Sequence, residues 1–309
     1  MKKLFLSLIL ILFVSGCANL PFDIPFFQST SPKVKELPQD VISIKNITVI
    51  PSTSIRERGQ FSVFFELTNH DEFNDVSVSY NLYDTGLCTP LGGDPSVNST
   101  SRSGVFDPPL FSPQETRLVE WNFQAPSAEE IAYLRVTCPI RFKFDFPYHA
   151  TSQIDVVVID ELRLRELQRA GTAKTFKPTV SVGRGPIKIY FDFGASLPVK
   201  ENSLLPVYIV VHDKGTGILR EIETDTLEIT FPFDVPSGAC TPTYFTCSGR
   251  VCRNSVAPIP IISKKSLEIR CDNIYTPSVD LGIEKTFFIS AVLEYNYSAV
   301  GEVKVEVNP

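Results

Sequence analysis

The residues with most chemistry to offer are seven cysteines, Cys17, Cys88, Cys138, Cys240, Cys247, Cys252 and Cys271, in a chain of 309 residues. A cysteine sulfur can be alkylated, can ligate a soft metal or can be oxidised to a disulfide. Cys17 stands apart, at the end of an apolar run, and setting it aside leaves an even number that fits three disulfides. Cys240, Cys247, Cys252 and Cys271 are numerous enough for a zinc site, but their spacings do not resemble the paired C-x2–4-C knuckles of zinc folds. His70, His149 and His212 are the only histidines, and no H-E-x-x-H, G-x-S-x-G or Gly-rich phosphate loop accompanies them. His70 and His212 each precede an aspartate, Asp71 and Asp213, at the end of a strand-like stretch. A ligand pair for metal or proton chemistry is one reading, and a polar exit from strand to loop the better one. "HDEFND" from His70 has the oxygen ligands for calcium without the EF-hand spacing. The expectation is a protein with no catalytic residues, no metal and no cofactor.

The apolar run itself is informative. Lys2 and Lys3 precede eleven residues, Leu4 to Val14, too few for a spanning helix, which needs roughly 20. This is the layout of a signal peptide. The four residues that end it, Val14, Ser15, Gly16 and Cys17, resemble the lipobox of exported lipoproteins. That resemblance implies diacylglyceryl transfer to the Cys17 thiol, cleavage before it, and a mature protein anchored to the membrane on its extracytoplasmic side. Export to an oxidising compartment in turn makes disulfides the natural state of the other six cysteines. N-x-[ST] sequons at Asn46, Asn98 and Asn296 matter only where the host glycosylates.

The elements that must carry these residues read as strands. Phe (23) and Pro (24) are abundant, a bias towards strands, turns and edges. A net charge of −6 gives no basic face for phosphates, so no nucleic-acid partner is expected. Residues 1–17 are the signal and lipidation segment, and 18–42, with Pro21, Pro25, Pro32 and Pro38, an extended tether. Period-two alternation then marks strands through 43–159, among them "QFSVFFEL" and "IRFKFDF", and again through 178–309. Residues 84–113 read as a long Gly-, Pro- and Ser-rich loop. Ser127 and Glu130 have capping-box spacing. Between the strand-rich parts, 160–177 contains "DELRLRELQRAG", with Asp160 to start a helix and Gly171 to end it, and reads as a helical linker.

The two strand-rich parts match each other. "GLCTP" around Cys88 recurs as "GACTP" around Cys240, and "LRVTC" ending at Cys138 as "LEIRC" ending at Cys271. "YHATSQIDVVV" from Tyr148 recurs as "YSAVGEVKVEV" from Tyr297, and "FSVFFEL" from Phe61 aligns with "LPVYIVV" from Leu205. Four matches in one order argue for a duplicated domain. If Cys88 pairs with Cys138, the counterpart is Cys240 with Cys271, which leaves Cys247 and Cys252 to close a small loop. Short strands, Pro- and Gly-rich turns and an internal disulfide resemble immunoglobulin-like β-sandwiches in both parts, although Val136 and Ile269 stand where antibody-type domains carry a Tyr. The resemblance implies an all-β chain of two tandem sandwiches that interacts through end loops, 91–112 and 241–263, with an unidentified protein or glycan. An adhesion or glycan-binding module would present the aromatics Phe106, Phe111, Tyr244 and Phe245 there. A subunit of an envelope complex would present edge strands, and an envelope hydrolase would need histidines or carboxylates to converge.

Overall fold

Apolar–polar alternation turns most of the chain into strands. The computed structural model describes residues 39–172, 178–194, 198–261, 266–280 and 282–309. Cys17, the signal segment and nearly all of the tether lie outside them. The first half comprises β1 (Ile42–Ile50), β2 (Ser54–Arg56), β3 (Gln60–Asn69), β4 (Val76–Asp84), β5 (Thr89–Asp94), β6 (Ser103–Phe111), β7 (Thr116–Gln124) and the long β8 (Val136–Ile159). Helix α1 (Glu161–Arg169) follows. Next come β9 (Val180–Val182), β10 (Ile187–Phe193), β11 (Val199–Lys200), β12 (Val207–Asp213), β13 (Glu221–Ile222) and β14 (Leu227–Thr230). The chain closes with β15 (Cys240–Thr241), β16 (Thr246–Ser248), β17 (Val251–Arg253), β18 (Ile259–Pro260), β19 (Ser266–Cys271) and the long β20 (Glu284–Asn308).

Local signals do what the sequence says at several points. In β3, Phe61, Val63, Phe65 and Leu67 are buried while the residues between them are turned outward, the side-chain period of a strand with one covered face. Asp160 caps α1, accepting a hydrogen bond from the Arg163 N–H at 3.0 Å, and Gly171 at φ +66° follows its end. Ser127 and Glu130 close a capping box: the Ser127 N–H and hydroxyl donate to the Glu130 carboxylate at 2.7 and 2.9 Å.

Three sheets carry the fold. Their orders are β1-β3-β7-β5, β10-β12-β19-β15 and β16-β17-β14-β20-β8-β4-β6. The first two have equivalent orders in the two halves of the repeat. The third joins the halves through the antiparallel pair β8–β20, hydrogen-bonded from Val136↔Val307 to Ile159↔Glu284, with β4 and β6 beyond β8 and β14, β17 and β16 beyond β20. The halves 43–159 and 178–309 therefore share one sheet, and Pro38–Pro309 form one compact unit.

A pseudo-twofold axis follows from the register. The sequence repeat equates Val158 with Val307, and the short parallel strands obey it: Ile55 of β2 pairs with Val307, and Val199 of β11 pairs with Val158. Ile55 and Val199 are in turn equivalent when Phe61 is aligned with Leu205. The next turn repeats as well. The Glu57 N–H donates to the Asn308 carbonyl at 2.8 Å and the Glu201 N–H to that of Ile159 at 3.0 Å. The Glu57 carboxylate accepts from the Ala128 N–H at 2.6 Å and that of Glu201 from the Val279 N–H at 3.0 Å. Arg58 and Asn202 then both take positive φ, 53° and 51°.

Each half packs its four-stranded sheet on the shared one. In the first half Phe65 of β3 stacks on Phe142 of β8 at 4.5 Å, and Trp121 of β7 meets Phe142 edge-on at 5.3 Å. The indole N–H donates to the Pro95 carbonyl at 3.0 Å, so the one buried polar atom of Trp121 has its partner. The Cys88–Cys138 disulfide adds a covalent tie, with a sequence separation of 50 residues. In the second half the disulfides are Cys240–Cys271 and Cys247–Cys252, each between directly paired residues of adjacent strands, β15–β19 and β16–β17.

Several sequence-based expectations need correction here. Residues 91–112 are mostly strand, not loop, because β5 pairs with β7 and β6 with β4. Phe106 and Phe111 point inward from β6, at 6% and 0% exposure, and meet edge-to-face at 5.0 Å. Phe245 is buried at 5%, and Tyr244 is half-buried against the core. These rings belong to the core because burying each removes a large apolar area from water. None of the three phenylalanines is presented to a ligand.

Candidate functional site

The polar groups with unusual surroundings gather near the pseudo-twofold axis. Tyr148 lies on β8 and Tyr297 on β20, and the repeat makes them counterparts. Each donates its phenol to an aspartate just at the end of equivalent strands. Tyr148 bonds the Asp71 carboxylate beyond β3, and Tyr297 bonds Asp213 at the end of β12 at 3.0 Å. The aspartates also organise the turns that follow. Asp71 accepts from the N–H groups of Phe73 and Asn74 at 2.8 and 2.9 Å, and Asp213 from that of Gly215 at 3.0 Å. Both carboxylates are buried, at 4% and 8% exposure, so these hydrogen bonds replace their lost water.

The electrostatics follow from that geometry. Burial alone would push the Asp71 carboxyl up, but the hydrogen bonds from Tyr148, Phe73 and Asn74 outweigh it and hold the group down at about 2. The phenols of Tyr148 and Tyr297 are pushed up, first by burial and then by the facing Asp71 and Asp213 carboxylates. They remain protonated donors. His70 sits beside this cluster with its Nε2 hydrogen-bonded to the Ser43 hydroxyl at 2.7 Å. Burial, reinforced by Lys45 and opposed by Asp40, lowers its pKa. His212 lies within β12, in register with Lys188 on one side and Ser266 on the other. His70 follows β3 and His212 lies on β12, strands of two different four-stranded sheets. An ionised aspartate held by a phenol that stays protonated is a fixed hydrogen bond that ties strand ends to the central ladder, rather than an acid–base pair near neutrality.

Two open grooves flank the axis along β8 and β20. One, of about 490 Å³, is lined by Pro147, Tyr148, His149, Glu223, Glu294 and Asn296 among others, and carries acidic groups. The other, of about 400 Å³, is lined by Asn81, Tyr83, Lys143, Ile218, Arg220 and Val300 among others, and carries basic ones. The Asn296 amide donates to Glu223 at 2.9 Å across the first groove. Of the other sequon residues, Asn46 donates to Glu66 at 2.8 Å and Asn98 accepts from the Thr100 and Ser101 N–H groups at 2.9 and 2.7 Å.

Sequence reasoning missed the Tyr–Asp pairs, although it had aligned Tyr148 with Tyr297 and noticed Asp71 and Asp213 separately. It also missed Glu57 and Glu201. The signal for those was available in "IRE" at Ile55–Glu57 and "VKE" at Val199–Glu201, a repeated apolar–basic–Glu triplet. No protein-family model matches this chain, and no curated protein matches its sequence.

Proposed function

We propose that this is a non-catalytic, lipid-anchored extracytoplasmic protein that presents a duplicated β-sandwich body to a protein or glycan partner at the membrane surface. The observation that carries the reading is the pairing of all six cysteines beyond Cys17 into three disulfides, behind a segment that ends in a lipobox-like Cys17. Disulfides persist where the environment oxidises. The finer part of the reading is that each half is a sandwich of immunoglobulin-like kind, with α1 as the connector between them. The contact surface is the outward side of β8 and β20, where the acidic and basic grooves lie side by side and offer both signs of charge to a partner.

The test is intact mass of membrane-extracted protein, before and after reduction, beside Cys17→Ser. The expected native species begins at Cys17 with added acyl mass and gains six hydrogens on reduction with all three disulfides opened. The variant is expected to lose the acyl mass and leave the membrane fraction. An unacylated chain that keeps Met1 and six free thiols would overturn the reading.

A further inference from the structure

The two disulfides of the second half face each other across the sandwich. Cys240–Cys271 belongs to the four-stranded sheet and Cys247–Cys252 to the shared one. The Sγ of Cys240 lies 3.6 Å from that of Cys252 and 3.8 Å from that of Cys247. All four cysteines are buried, at 4% exposure or less. Sulfur atoms of one disulfide are thus in van der Waals contact with the other, and Cys240 is the sulfur nearest to both members of the facing pair. The first half has no such arrangement: its single disulfide runs between the sheets.

Contact of this kind is what thiol–disulfide exchange needs, because a thiolate must reach a disulfide sulfur and expel the other. We propose that Cys240, Cys247, Cys252 and Cys271 form an exchange relay in which Cys240 passes between partners, fed by an external dithiol. The dithiol reduces Cys247–Cys252, and is itself oxidised to a disulfide. The Cys252 thiolate then attacks the Cys240 Sγ. A Cys252–Cys240 bond forms, the Cys240–Cys271 bond breaks, and the electron pair leaves on the Cys271 Sγ, which takes up the proton. This second step is redox-neutral. Its result is that the reducing equivalents delivered at the short 247–252 loop appear at Cys247 and Cys271, and the cross-strand link becomes a link between sheets. The thiolate, not the thiol, is the nucleophile, so the step accelerates as pH rises.

Partial reduction of the wild-type protein tests this directly. The folded protein is treated with a limiting amount of a phosphine, held at pH 8, quenched with acid at intervals, alkylated and mapped by peptide mass spectrometry. The expected result is a peptide pair joined through Cys240 and Cys252, with label on Cys247 and Cys271, growing several-fold in rate per pH unit. Cys247→Ser provides the second reading, since it leaves Cys252 with a free thiol and no reductant is required. Its label is expected to divide between Cys252 and Cys271. Native pairings alone in the partially reduced wild type overturn the relay, whatever the variant does. Label confined to Cys252 in a folded Cys247→Ser protein overturns it too. Neither result bears on lipid anchoring.

Discussion

Pro147 pairs with Asn296 at the centre of the β8–β20 ladder, and the repeat that aligns Tyr148 with Tyr297 makes these two residues each other's counterparts. A residue that faces its own equivalent marks a twofold axis. The relation between the halves is therefore that of an isologous dimer fused into one chain, the same patch used on both sides. Tyr148 facing Tyr295, and Phe146 facing Tyr297, are the same contact seen twice.

One consequence is cooperative unfolding. Separating the halves would break a ladder that runs the length of both long strands and expose its buried face. Trp121 is the only tryptophan and lies in the first half, so its fluorescence reports that half alone. Its urea transition is expected to coincide with that of far-UV circular dichroism. Two separated transitions would show that the shared sheet does not couple the halves.

The phenol of Tyr148 holds a buried carboxylate. Tyr148→Phe is expected to cost about 1–3 kcal/mol, because Asp71 loses a donor it cannot replace with water. Chemical denaturation of the variant checks the size. The direction of the pH dependence also follows. Asp71 is harder to protonate folded than unfolded, so its contribution is whole above the ordinary 3.8 and is lost as pH falls towards about 2. Acid unfolding of Tyr148→Phe should depend less on pH in that window than that of the wild type.

His70 acts in a different window. Its folded pKa is below the ordinary 6.5, so the unfolded chain takes up the proton first as pH falls. Stability is expected to be unaffected by this group above that value and to decline below it. His70→Gln should flatten the stability profile as pH falls below the ordinary 6.5. An unchanged slope would place the His70 titration outside the folding equilibrium.

Phe106 separates core from binding roles. Its ring lies edge-on to both Tyr80 and Phe111, at 5.6 and 5.0 Å. Phe106→Ala is expected to destabilise by about 3–5 kcal/mol, the range for emptying a buried aromatic site. A fully stable variant with altered glycan binding, measured by calorimetry, would restore the ring to the surface.

The sequence alone determined the strand content, the duplication and the cap of α1. Each rests on local pattern: period-two alternation, recurring short motifs, and Asp160 ahead of a helical run. It also brought Cys88 to Cys138 and Cys240 to Cys271, as the structure pairs them. It did so through an alignment that the topology does not keep. Strand order equates β7 with β19 and β8 with β20, so Cys138 on β8 and Cys271 on β19 occupy different places. The ladder register that equates Val63 with Val207 sets Cys271 opposite Val207 where Trp121 stands opposite Val63. Only the tertiary structure decided this, together with the twofold axis, the contact between two disulfides and the inward turn of Phe106 and Phe111. The reason is physical: which residues face each other across paired strands is set by long-range register, and a shift of one residue reverses every side chain without changing the local pattern.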